Sequence, residues 1–246
     1  MDLSNYIHHK INEIWKNLHK ENADPLELPD PIRRGVHWTR DQTYLPFVAN
    51  KKVLELGCGY GYSAFLFSKK AKSVIGVDIN DEAIGKARSN YRNVLNLNFI
   101  REDALTYLQK NSTKFDVIAL FEFIEHIEAE KQKELIKKIH EALKPEGQLF
   151  LSAPNGKIVP FYRKNPFHKN ELSVKELLEL VNEYFEVEML KGQIPLFWFF
   201  IPLPWAWLEK IWMLLGIYEK IHQIRDDPEN SRTILLRAKK KVKIEQ

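Results

Sequence analysis

Apolar residues recur at helical spacing from the start of the chain, at Leu3, Ile7, Ile11, Ile14, Trp15 and Leu18, which predicts an amphipathic helix over residues 3–20. Pro25, Pro29 and Pro31 follow, and prolines so placed cannot continue a helix, so a linker is expected there. A short helix is expected over Thr39–Ala49. Beyond it, apolar runs alternate with helical patterns. The strand-like runs are Val53–Leu56, Ser73–Val77, Leu97–Arg101, Phe115–Leu120 and Gln148–Ser152. Between them lie helical patterns at Tyr62–Lys70, Asp81–Tyr91, Ala104–Gln109 and Ala129–Leu143. Ser173–Tyr184 reads as another helix, with Ser173 and Glu176 spaced as a capping box. Phe185–Leu190 and Thr233–Ala238 are the last two strand candidates. Repeated βα units of this length predict an α/β fold, a Rossmann-like parallel sheet with helices on both faces.

Length and composition agree with that pattern. The 246 residues suit one α/β domain over 39–246, preceded by a helix and linker over 1–38. With 44% hydrophobic and 28% charged residues, the chain is neither disordered, collagenous nor a multi-span membrane protein. Its single cysteine, Cys58, excludes an intramolecular disulfide framework and a Cys-based zinc finger, and suits a reducing compartment. The opening MDLSNYIHHK lacks the apolar core of a signal peptide, so a cytoplasmic location is expected. The net charge of +4 owes much to the tail Arg237–Lys243 and gives little reason to expect a nucleic-acid partner.

The aromatic residues are uneven. Trp198, Trp205, Trp207 and Trp212 are four of the six tryptophans, and all fall in a late insert, residues 192–231, ahead of the last strand. Residues 194–208 are uncharged and hold three prolines, Pro195, Pro202 and Pro204, whereas a spanning helix needs about 20 apolar residues. The segment 194–217 therefore suits a peripheral membrane contact, the lining of an apolar substrate pocket, or a buried hairpin or dimer interface.

The first strand, Val53–Leu56, runs straight into Gly57-Cys58-Gly59-Tyr60-Gly61, which opens a helix. Glycines suit that turn because it needs positive φ and because a ligand must approach bare backbone. The dinucleotide fingerprint would place Gly or Ala at position 62, where this chain has Tyr62, which argues against NAD. The second strand ends in Asp78, about twenty residues past the glycines, where an acid can accept hydrogen bonds from both ribose hydroxyls or cap the next helix. The third strand ends in Arg101-Glu102-Asp103-Ala104, and Asp103 can accept from an adenine amino group or serve as an N-cap.

Taken together, VLELGCGYG, the strand ending GVD and the later ED-A pattern resemble the class I S-adenosylmethionine-dependent methyltransferases over residues 39–190 and 233–238. The resemblance implies a seven-stranded sheet with an antiparallel final strand and S-adenosyl-L-methionine across the carboxyl ends of the first strands. It implies that Glu55, Gly57, Gly59 and Gly61 line the amino-acid moiety, that Asp78 holds the ribose, that Ile79 beside it is cofactor-binding, and that Asp103 with Ala104 meets the adenine. Phe121 and Glu122 are expected to close the pocket near the methionine part.

After the fourth strand the chain reads Phe121-Glu122-Phe123-Ile124-Glu125-His126. One helical turn would set Glu122, Glu125 and His126 on one side. With His168 from the loop after strand five as a fourth member, these form a candidate site for Mg²⁺ or another divalent cation. The other reading is that Glu125 and His126 cap a helix and that His168 has no special role. The E-x-x-E-H pattern with a later loop histidine is similar to two branches, the ubiquinone-biosynthesis O-methyltransferases and the small-RNA 3′-terminal 2′-O-methyltransferases. Both imply metal-assisted methylation of a hydroxyl. A cation would lower the pKa of the attacking oxygen, and His126, His168 or Glu125 could take its proton. The expected acceptor is a small or lipid-linked molecule; the alternatives are RNA 2′-O-methylation, or a non-catalytic fold acting as a membrane or partner-binding module.

Overall fold

In the computed structural model, residues 31–158, 165–195 and 223–242 are described. The helix expected over 3–20, most of the linker and residues 196–222 of the aromatic insert lie outside them. Seven strands form one sheet: β1 (Lys52–Leu56), β2 (Ser73–Asp78), β3 (Leu97–Arg101), β4 (Phe115–Phe121), β5 (Leu143–Pro154), β6 (Phe185–Pro195) and β7 (Ser231–Lys240). Their order is β3-β2-β1-β4-β5-β7-β6. β1 to β5 run parallel, and β7 pairs antiparallel with both β5 and β6. The chain order reverses beside β1, between β2 and β4, and in open α/β sheets ligands bind in the crevice at such a switch point.

The central strands are apolar on both faces because both faces are covered. On one side α1 (Pro31–Tyr44), α2 (Tyr62–Ser68) and α3 (Asp81–Asn90) enclose Tyr44, Phe67, Ile84, Phe99 and Phe150. On the other, α4 (Ala104–Lys110), α5 (Ala129–Ala142) and α6 (Val174–Asn182) enclose Leu56, Ile118, Leu135, Ile139 and Leu177. The expected two-sided architecture and antiparallel last strand are both present.

Two expectations shift. The first helix of the described chain begins at Pro31, crossing the 38/39 boundary drawn from the sequence. A proline at the first helical position costs nothing, since its missing N–H would have no intrahelical partner and its φ is already helical. β5 is also longer than Gln148–Ser152. Its pairing with β4 jumps from Phe115↔Leu143 to Val117↔Gln148, so the intervening residues, including the left-handed Glu146, form an irregular stretch ahead of the regular ladder.

Caps were more legible. Ser173 and Glu176 form the predicted capping box. Fully buried Tyr44 places its hydroxyl 2.9 Å from the Leu151 carbonyl and 3.0 Å from that of Leu236, tying α1 to β5 and β7. The register Pro154↔Thr233 and Pro195↔Ser231 puts the end of β6 and the start of β7 at the same edge as the carboxyl ends of β1 to β5. The insert between them is therefore rooted at the carboxyl edge of the parallel strands.

Candidate active site

At that edge the first turn is built on three glycines with positive φ: Gly57, Gly59 and Gly61, at 70°, 49° and 78°. Gly61 carries the requirement most clearly. A Cβ there would lie 2.4 Å from the buried Phe99 ring, and its left-handed φ disfavours any L side chain. Asp78 then locks the loop. Its two carboxylate oxygens accept from Gly59 N–H and Asn80 N–H, each at 2.8 Å. Asn80, not Asp78, caps α3, accepting from Ala83 N–H at 2.9 Å. The helix-cap alternative for Asp78 thus goes to its neighbour. Ile79 beside it is 67% exposed, an apolar surface open at the edge. Asp103 does cap α4, with Oδ1 accepting from Thr106 N–H at 2.9 Å and from the Thr106 hydroxyl at 3.0 Å. Ala104, the first residue of that helix, is buried.

Behind the loop lies a polar group that no local pattern along the chain brings together. Arg40 Nε donates to Asp41 at 2.8 Å and Arg40 Nη2 to the Ser63 hydroxyl at 2.9 Å, while that hydroxyl donates to Asp41 at 2.8 Å. All three residues are buried, so the charges persist only because they satisfy one another. The network joins α1 to the start of α2, just after the glycine turn. Glu55 is buried nearby, and burial, reinforced by the Asp41 charge, pushes its carboxyl up to about 8. Phe121, expected to border the methionine part, turns its ring into the core against Tyr44 and Phe67, with the Arg40 guanidinium 4.3 Å above it.

The acid and histidine cluster departs from the single helical turn expected. β4 ends at Phe121, Glu122 is left-handed with φ 50°, and only Ile124–His126 form a turn, of the tighter 3-10 type. Glu122 consequently points elsewhere, its carboxylate accepting from the Ser152 hydroxyl at 2.8 Å. Glu125, His126 and His168 do converge, one ligating atom from each lying within 4.8 Å of the others. Glu122 is a correction to the four-residue set: its backbone conformation separates it from the turn, although its charge still reaches Glu125. Glu125 is 1% exposed, and neither carboxylate oxygen meets a donor in hydrogen-bonding geometry among the described residues. Burial first and the Glu122 charge second raise its pKa well above the ordinary carboxylate value.

The 165–171 loop is fastened beside this turn from below. Lys169 N–H and Asn170 N–H donate to the Glu125 carbonyl at 2.7 and 3.1 Å. Buried Gln132 donates to the carbonyls of Ile124 at 2.9 Å and Asn170 at 3.1 Å, and accepts from the Asn170 amide at 2.9 Å. The two imidazoles meet edge to face with centroids 5.0 Å apart. An orphaned buried carboxyl next to two imidazoles has the donor chemistry of a divalent-cation site with open positions. Sequence reasoning missed Arg40, Ser63, Gln132 and Glu171. Only the Arg40-Asp41 dipeptide was visible along the chain; its third partner lies 22 residues away from Asp41.

Residues 53–147 match the model of a family described as a methyltransferase domain. A probable S-adenosylmethionine-dependent methyltransferase of Mycolicibacterium smegmatis is 35% identical over 191 residues, covering 70% of this chain and 71% of that protein. A ubiquinone biosynthesis O-methyltransferase of Acinetobacter baumannii is 28% identical over 143 residues, 57% of each chain. Among solved structures, an S-adenosylmethionine-dependent methyltransferase from Archaeoglobus fulgidus aligns with TM-score 0.65 at 19% identity, covering 93% of this chain and 99% of that one. The N-methyltransferase NodS from Bradyrhizobium japonicum, in complex with S-adenosyl-L-homocysteine, aligns with TM-score 0.63 at 16% identity, covering 94% and 98%. At these identities the structural neighbours establish the fold.

Proposed function

The chain belongs to the S-adenosylmethionine-dependent methyltransferases, and from that premise we propose that it methylates a hydroxyl oxygen of a small or lipid-linked acceptor, assisted by a divalent cation. The observation that carries this reading is the convergence of Glu125, His126 and His168 at the carboxyl edge, with the Glu125 carboxyl buried and unmatched. S-adenosylmethionine supplies a sulfonium methyl that is already activated for transfer to a nucleophile. Gly57, Gly59 and Gly61 leave bare backbone at three positions of the first turn, and Asp78, braced by two backbone N–H groups, is the acid that would accept from the ribose hydroxyls. Asp103 with Ala104 borders the adenine end. A divalent cation supplies a lowered pKa and a fixed orientation for the acceptor oxygen.

His126 and His168 are the groups that can receive the acceptor proton; whichever nitrogen binds a cation gives up that role. The resemblance to the A. baumannii O-methyltransferase supports oxygen as the acceptor atom. The aromatic composition of residues 194–217, together with their roots at the same edge, supports an apolar acceptor and a peripheral membrane contact. No helix among the described residues is long and apolar enough to cross a membrane.

The test uses S-adenosylmethionine labelled in its methyl group, incubated with the protein and separated lipid, small-molecule and RNA fractions, with and without chelator. Label is expected in a lipid or small-molecule hydroxyl and is expected to fall with chelator. Label in RNA alone would replace the acceptor assignment, and turnover indifferent to chelator would leave only the histidine base. Asp78→Ala is expected to abolish cofactor binding; unchanged affinity in that variant sinks the cofactor site.

A further inference from the structure

The hydrogen bonds around the two imidazoles fix which nitrogen carries each proton. Asn165 Oδ1 accepts from Phe167 N–H at 3.0 Å, so the Asn165 amide nitrogen is the atom 2.9 Å from His168 Nε2. An amide nitrogen only donates, and His168 Nε2 must therefore accept, with its lone pair exposed to that donor. Nδ1 of the same ring is bonded to the Glu171 carboxylate, a side chain 6% exposed. A carboxylate accepts, so Nδ1 holds the proton. His126 obeys the same logic: its Nδ1 lies 3.2 Å from the Phe167 carbonyl, which can only accept.

Both rings thus stand with the proton on Nδ1 and basic character on Nε2, the arrangement that ligating histidines adopt when an outer acceptor holds their other nitrogen. The acceptors differ in kind. Phe167 offers a backbone carbonyl, present whatever the side chain at 167. Glu171 offers a buried side chain, which a substitution removes.

We propose that Glu171 is the positioning residue of this site: it holds His168 with the proton on Nδ1 and so presents Nε2 to the divalent cation. This rests on the cation reading given above. A cation reaching Nε2 displaces the Asn165 amide, which then keeps its bond to Phe167 N–H. Glu171 is not needed to hold the loop, because Lys169, Asn170 and Gln132 fasten it to the 124–127 turn through bonds that do not involve Glu171. Losing its carboxylate should therefore free the ring's proton while leaving the loop in place.

The experiment titrates Mn²⁺ into the intact protein, following loss of the free-ion paramagnetic resonance signal, for wild type, Glu171→Gln and Glu171→Ala. In parallel, ¹⁵N resonances report which nitrogen of His168 is protonated, and S-adenosylhomocysteine affinity reports an intact fold. Wild type is expected to bind Mn²⁺ with His168 protonated on Nδ1. Glu171→Ala is expected to raise the population of rings protonated on Nε2, against the opposing Asn165 amide, and to weaken Mn²⁺ by roughly ten- to a hundredfold. Glu171→Gln, whose amide oxygen still accepts, should lose less. Wild-type-like affinity in Glu171→Ala, or a wild-type proton on Nε2, overturns the role of Glu171 while leaving the cation site standing. Absence of Mn²⁺ binding in wild type overturns the cation reading and this inference with it.

Discussion

Two glycine-to-alanine substitutions, at Gly61 and Gly85, are expected to act in opposite directions and give the sharpest check on the loop geometry. At Gly61 the added methyl enters a left-handed backbone position, φ 78°, and meets the Phe99 ring at 2.4 Å. The backbone term is about 1–2 kcal/mol. The overpacking term is about 1–3 kcal/mol, because Phe99 is 3% exposed and packed in the core with Tyr91, leaving the ring little room to retreat. A loss of roughly 2–5 kcal/mol is expected, a large part of a total stability of about 5–15 kcal/mol. Gly85 lies inside α3, exposed, with no atom within 4 Å of an added Cβ. Alanine there is expected to stabilise by roughly 0.5–1 kcal/mol through the unfolded chain's lost freedom and better helix propensity. Urea unfolding followed by circular dichroism measures both. With a slope of roughly 2–3 kcal/mol per molar, the Gly61→Ala midpoint should fall by about 1–2 M while Gly85→Ala rises slightly. A Gly61→Ala midpoint within error of wild type refutes the account of the turn, and a destabilised Gly85→Ala refutes that of the exposed helix position.

Two further outcomes follow from buried polar groups. Glu55 has its carboxyl raised from 4.5 to about 8. The unfolded chain therefore releases this proton first, and stability falls as pH rises from about 4.5 to 8, with a slope approaching about 1.4 kcal/mol per unit from this one group. Glu55→Gln should flatten the pH dependence of the unfolding midpoint in that window, and an unchanged slope would show that Glu55 is ionised in the native protein. Fully buried Asn155 donates through its amide to the carbonyls of Pro228, Glu229 and Ser231 at 3.0, 3.3 and 3.1 Å. Asn155→Ala leaves those carbonyls without this donor, at a cost of about 1–3 kcal/mol. Amide exchange should then quicken at the β7 entry and stay slow in β1 to β4; uniform quickening or no change contradicts the assignment.

Much of the molecule follows from patterns that are local in the chain. The period of apolar residues marked β3 at its observed limits and the other strands to within a few residues at most ends, because buried parallel strands are short apolar runs between helices. The capping box at Ser173 and the glycine turn after β1 are likewise contained in a few consecutive residues. The pairing of β7 between β5 and β6 depends on long-range hydrogen bonding, and the family resemblance supplied only its direction. Pro31 shows the limit in miniature: its sequence context reads as a breaker, but its position at a helix start makes it compatible with α1.

The site divides in the same way. Glu125, His126 and His168 were visible as residue types able to hold a cation, and Asp78 as an acid at the right distance from the glycines. What brought Glu125, His126 and His168 together, and turned Glu122 toward Ser152, was the left-handed backbone at position 122 and the docking of the 165–171 loop through Gln132. The Arg40–Asp41–Ser63 network and the raised pKa of the Glu55 carboxyl depend on burial beside partners remote in sequence, and the pairing of Glu171 with His168, three residues apart, depends on how the 165–171 loop is folded and packed. Sequence by itself determined the elements, the glycine turn after β1 and the chemical inventory, since these rest on short-range sterics and the periodic burial of side chains. Tertiary structure alone decided which polar groups share a site and in what protonation state, because desolvation and hydrogen-bond partnership exist only once distant segments are packed against each other.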